Sequence, residues 1–142
     1  MAANVSPVFT NISRDQWIGP CTAANNTVDI TSGTSYLVCT ADATNGSFLE
    51  ELRVKVAPGN STVASVMRVW LNNGSSIGTA TNSALIGELG LSLTTTSAVF
   101  PQPDFIWSYG KRLTPGHKIY VTFGTAPGGS SSFAVTAILG DY

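Results

Sequence analysis

The sequence predicts an all-β fold: an antiparallel two-sheet β-sandwich or jelly roll of about eight strands, forming a single domain over residues 1–142. Three observations carry this. β-branched Thr, Val and Ile dominate, while the strong helix formers are sparse or scattered. Several segments alternate apolar and polar residues with period two. Gly-, Pro- and Asn-rich turns separate them, and no charged amphipathic stretch supplies the helix of a βαβ unit.

The clearest strand is 48–57, FLEELRVKVA, which sends Leu52, Val54 and Val56 to one face and Arg53 and Lys55 to the other, then stops at Pro58-Gly59-Asn60. Glu50 falls on the Leu52 face, as an inward-pointing charge or the start of a bulge. Segment 64–72, ASVMRVWLN, sets Met67, Val69 and Leu71 against Val66, Arg68 and Trp70, so both faces carry large side chains. Segments 118–123 (Ile119, Val121, Phe123) and 132–139 (Phe133, Val135, Ala137, Leu139) alternate in the same way. Weaker alternation marks 27–31, 35–40, 84–93 and 105–109, the last with Phe105, Trp107 and Tyr109 opposite Ile106. The connections 73–83 and 94–104 are long for a compact domain, which points to function.

Composition removes several classes of function. With seven Lys and Arg against eight Asp and Glu, a net charge of −1 and a pI near 5.6, the chain lacks the basic footprint of nucleic-acid binding. Its apolar runs are a few residues long, against the roughly 20 a membrane helix needs. Val, Ile, Leu and Phe make up about a quarter of the residues, enough for a core and against disorder. The start MAANVSPVFTNISRD has neither the basic nor the apolar stretch of a secretory leader, and Met1 favours a chain that stays where it is made.

Chemistry of its own is not expected, nor is a cofactor. Cys21 and Cys39 lack CxxC partners and His117 is the only histidine, too few ligands for a closed zinc site. Cys39 alternates with Leu37 as a small buried residue; a bond to Cys21 is geometrically open, but a cytosolic site of synthesis argues against it. There is no GxSxG elbow, and His117 follows a Pro-Gly turn where exposure is the ordinary outcome. Glu50 and Glu51 are adjacent on a strand and point to opposite faces, so they form no facing carboxylate pair. Trp17, Trp70, Trp107 and Tyr109 are candidates for a sugar platform, although aromatics at alternate strand positions more often fill cores or subunit interfaces. Asn-x-Ser/Thr sequons at Asn4, Asn11, Asn25, Asn45, Asn60 and Asn73 arise by chance in a chain this rich in Asn, Ser and Thr.

The run NGSFLEELRVKVAPGNSTVASVMRVWLNNG (45–74) and the C-terminal TPGHKIYVTFGTA (114–126) and FAVTAILGDY (133–142) resemble small virion proteins of tailed bacteriophages that decorate or cement the capsid. The similarity spans roughly residues 5–142 and rests on strand-and-turn patterns. It implies a non-enzymatic jelly roll that forms small oligomers, clamps adjacent major capsid subunits on the outer surface of the shell, and has no catalytic residues. The partners implied are the major capsid protein and the chain itself, as a dimer first or a trimer second. The protein would be in the virion, and in the host cytoplasm during assembly. A tail or baseplate structural protein and a glycan- or receptor-binding module are the alternatives. The residues expected at protein interfaces are Val5, Pro7 and Phe9, in an extended N-terminal arm or first edge strand over 1–10, together with Trp70, Phe105, Trp107 and Tyr109, whose bulk exceeds what one core absorbs.

Overall fold

Eight strands run through the residues that a computed structural model of the chain describes, 10–27, 29–57 and 61–142: β1 Ile12–Cys21, β2 Tyr36–Thr40, β3 Ser47–Val56, β4 Ser65–Asn72, β5 Ser83–Leu91, β6 Phe105–Leu113, β7 Lys118–Phe123 and β8 Phe133–Asp141. They form two four-stranded sheets, β1-β8-β3-β6 and β2-β7-β4-β5, antiparallel throughout. The pairs β1/β8, β2/β7, β3/β6 and β4/β5 are those of one long hairpin rolled up so that successive pairs alternate between the sheets. This is jelly-roll connectivity. The helical content of the described residues is a single 3-10 turn, Ala80–Asn82.

The inward faces meet as the alternation predicts. Leu52, Val54, Val56, Phe133, Val135, Ala137 and Leu139 line one sheet, and Met67, Val69, Ile119, Val121 and Phe123 the other, all buried. Phe123 stacks on Phe133 at 4.8 Å, and the Tyr36 ring meets Phe123 edge-on at 6.1 Å. Glu50 resolves as a bulge: Leu49 pairs with Leu139 and Glu51 with Ile138, leaving Glu50 unpaired and exposed while Leu49 and Leu52 both face the core.

Two elements differ from expectation. Segment 27–31 is no strand in its described residues: Asp29 accepts hydrogen bonds from the Thr31 amide at 2.9 Å and its hydroxyl at 2.6 Å, and Ile30 is buried within the resulting turn. The strand that takes its place is β1, which places Arg14 and Gln16 at inward positions, so its core face does not read as apolar. Both side chains find polar partners there. Arg14 forms an ion pair with Asp141 at 2.7 Å and donates to Thr40 O at 2.8 Å, while Gln16 Oε1 accepts the Thr40 amide at 2.8 Å. The two side chains thereby tie β1 to β2 in the opposite sheet.

The loops gather at two ends. The described residues of connections 22–35 and 57–64, with connections 92–104 and 124–132, share one end, joined by backbone bonds from Asn25 to Phe123, Ala57 to Ser132, Thr62 to Thr94 and Val63 to Pro127. Connections 41–46, 73–82 and 114–117 lie at the other, joined through Ala41 to His117 and Gly116 to Asp42. The two long loops singled out in the sequence therefore face opposite directions.

Candidate functional site

Of the residues expected at interfaces, Val5, Pro7 and Phe9 lie outside the described residues. Thr10, where the described chain begins, rests so closely over Gly140 that a Cβ there would come within 2.6 Å of it. Trp70 stands on the outward face of β4 but is only 6% exposed. Its cross-strand neighbours are Tyr120 and Leu85, and its indole Nε1 donates to Thr122 Oγ1 at 3.1 Å. Leu37 pairs with Tyr120, so a row Leu37, Tyr120, Trp70, Leu85 crosses all four strands of that sheet.

Phe105, Trp107 and Tyr109 point between the sheets, half-buried against the core. Trp107 stacks on Tyr109 at 5.4 Å, and Gly87 on the facing edge strand β5 makes room for its indole. The core takes up part of this bulk and leaves part of each ring exposed. These rings close the gap between edge strands β5 and β6. Trp107 and Tyr109 do not form an outward sugar platform.

The groups considered for chemistry are dispersed. His117 is half-buried in the β6–β7 turn, with its amide donating to Thr114 O and its carbonyl accepting from Ala41. Cys21 and Cys39 are free and buried, and burial pushes both thiols up to about 12. Among the described residues, no group of three or more His, Cys, Asp and Glu is placed to hold a metal ion. The carboxylates with lowered pKa serve turns and ties: Asp42 accepts the amides of Asn45 and Thr44, Asp29 the hydroxyl and amide of Thr31, and Asp104 pairs with Lys55 at 2.6 Å.

What the surface does offer is exposed apolar side chains on hydrogen-bonded backbone. Trp17, 68% exposed on edge strand β1, borders an open groove with Asp15, Gln16, Leu37 and Thr40. Val99 and Phe100, 78% and 75% exposed, crown the β5–β6 loop. Sequence reasoning marked that loop by length alone. The finer signal was an apolar pair set between Ser97 and Pro101 in a run without charge.

Both stems of this loop are fastened. The Thr62 amide donates to Thr94 O at 2.8 Å and the Thr94 amide to Thr62 Oγ1 at 3.1 Å. On the other stem the Gln102 side chain binds the Val56 backbone, and Lys55 Nζ reaches Pro103 O at 3.2 Å. The loop 73–82 is instead bracketed by its own side chains: Asn72 donates to Asn82 O and Ser83 Oγ, and Asn82 donates to Ser76 O.

A scan against protein-family models and a search of curated proteins return no match to this chain. Jelly rolls serve capsids, lectins and enzymes alike, so the fold does not choose among functions.

Proposed function

We propose that this protein is a non-enzymatic virion structural protein that decorates and cements a phage capsid, binding adjacent major capsid subunits on the outer surface of the shell and neighbouring copies of itself, as a dimer before a trimer. The observation that carries the reading is the kind of surface the fold presents: large apolar side chains held outward on pinned backbone, as at Val99 and Phe100, over a framework whose polar groups are spent on turns and ties. Such a surface favours protein contact over catalysis. A charged fraction of 11% also lowers the desolvation cost of that contact, and a net charge of −1 keeps closely spaced copies from repelling one another. The resemblance of segments 45–74, 114–126 and 133–142 to capsid decoration proteins supports the same reading.

The test is copy number per virion, by quantitative mass spectrometry of purified particles. Hundreds of copies fit a shell protein. A dozen or fewer would move the protein to the tail or baseplate. A second reading, a glycan- or receptor-binding module, is favoured by one observation, the exposed Trp17 indole beside Asp15 and Gln16. Under that reading, particles lacking the protein keep their DNA but fail to adsorb to cells.

A further inference from the structure

The two ends of the sandwich differ in charge. Loops 57–64 and 124–132 contain no Asp, Glu, Lys or Arg, loop 22–35 contains only Asp29, and loop 92–104 contains only Asp104, which pairs with Lys55 at 2.6 Å. The opposite end carries Arg14 paired with Asp141, Asp42, Arg112 on Asn45 O and Lys118 on Gly74 O. At the sparsely charged end, Val99 and Phe100 stand out, with Leu93 and Val63 also exposed.

The backbone beneath them is set in advance. Ser97 Oγ accepts the amides of Val99 at 3.1 Å and Phe100 at 3.2 Å, which closes a tight turn under the two side chains, and Pro101 fixes φ at the next residue. The stems are held by Thr62 with Thr94 on one side and Val56 with Gln102 on the other. A loop fastened at both stems and at its tip loses little conformational freedom on binding, so burial of its apolar tip converts more fully into affinity.

We propose that Val99 and Phe100 are a preorganised anchor, and that the protein stands on its partner through this sparsely charged end by inserting the pair into an apolar, uncharged pocket of the shell protein. The inference rests on the capsid reading above and adds the docking end, the two anchor residues and the chemistry of their pocket. Charge selects the partner class. The loops themselves contain no Lys or Arg, and the cations beside them, Lys55 and Arg68, are paired with Asp104 at 2.6 Å and Glu88 at 2.9 Å, so the end presents no cluster of free cations of the kind that draws proteins to anionic lipid or to nucleic-acid phosphates. A protein pocket is the complement that remains, and apolar anchors in pockets are where binding energy concentrates.

The experiment uses particles stripped of this protein, to which the purified chain is added back and its affinity measured by co-sedimentation. The double variant Val99→Ser, Phe100→Ser should bind about 100-fold more weakly, roughly tenfold for each apolar side chain no longer buried. Its β-rich circular dichroism spectrum and unfolding midpoint should be unchanged, because both residues are exposed in the free protein. Ile106→Ser, on the outward face of β6, should bind like the wild type. Equal binding by the double variant and the wild type would overturn the anchor while leaving the capsid reading standing. Failure of the wild type itself to bind stripped particles would overturn both. Wild-type association with phosphatidylcholine vesicles that the double variant loses would assign the anchor to lipid and reject the protein pocket.

Discussion

The side-chain amide of Gln102 pairs with both backbone groups of Val56: the Val56 amide donates to Gln102 Oε1 and Gln102 Nε2 donates to Val56 O, each at 2.9 Å. The β3/β6 ladder ends at the pair Val54 and Phe105, so the glutamine supplies for Val56 the partners that a longer β6 would have given. It satisfies buried backbone and fastens the stem of the Val99–Phe100 loop in the same contact.

Gln102→Ala should therefore cost about 1–3 kcal/mol in urea unfolding, the range for leaving buried backbone groups without partners. Amide exchange at Val56 should accelerate more than at Val54, whose neighbours in the sheet are intact. Unchanged exchange at Val56 would show that the clamp does not form in solution.

Gly87 faces the Trp107 indole so closely that a Cβ would lie 2.3 Å from Nε1. Gly87→Ala should push the ring out of the gap between β5 and β6 and cost about 1–3 kcal/mol, as overpacking does elsewhere. Tryptophan emission should shift to the red. A variant with wild-type stability and emission would mean that Trp107 does not occupy this slot.

Acid should weaken the fold through its turns. The Asp42 carboxylate accepts the Asn45 amide at 2.7 Å and the Thr44 amide at 3.0 Å, which holds its pKa below the ordinary value near 3.8. A folded-state pKa depressed in this way contributes stability that is present above the unfolded value and lost as pH falls through the folded one. The urea midpoint should stay flat from neutrality to about pH 4 and drop below it, and Asp42→Ala should be less stable at neutrality with a shallower acid limb. Asp29 and Asp104 are depressed as well and contribute in the same window. Wild-type and Asp42→Ala curves that run parallel below pH 4 would contradict this role for Asp42.

Cys21 and Cys39 behave oppositely, because burial raises their thiols to about 12 from an ordinary value near 9. The neutral thiols favour the folded state fully below pH 9, and that contribution fades as pH rises through 12. At pH 8 an aromatic disulfide reagent should modify neither cysteine in the native protein and both once urea unfolds it. Immediate reaction of one thiol in the native state would contradict its burial.

Much of this architecture was legible in the sequence, for a physical reason. β3, β4, β7 and β8 sit at the centre of their sheets, where one face must be apolar, and their period-two patterns predict them to within one or two residues. Edge strands are less constrained. β1 was hidden because Arg14 and Gln16 occupy inward positions and reach hydrogen-bond partners there, which no pattern of hydropathy records. Ile30 misled in the opposite way, as an apolar residue buried by a turn instead of a strand. The inward direction of Phe105, Trp107 and Tyr109 depended on Gly87, distant in sequence, leaving space for a ring. Val99 and Phe100 obey no periodicity, and their significance appeared only with the clamps that hold the loop beneath them.

The measurement that bears most directly on the central claim is the temperature at which particles release DNA, followed by dye fluorescence, with and without this protein. A ligand that binds only the intact shell stabilises it by RT ln(1 + [L]/Kd), about 2.7 kcal/mol per site at a hundredfold excess over Kd, repeated over every site. Particles lacking the protein should assemble and fill, yet release DNA at a lower temperature, and adding the purified chain should restore the wild-type value. Stripped particles that resist heat as well as complete ones would contradict a cementing role.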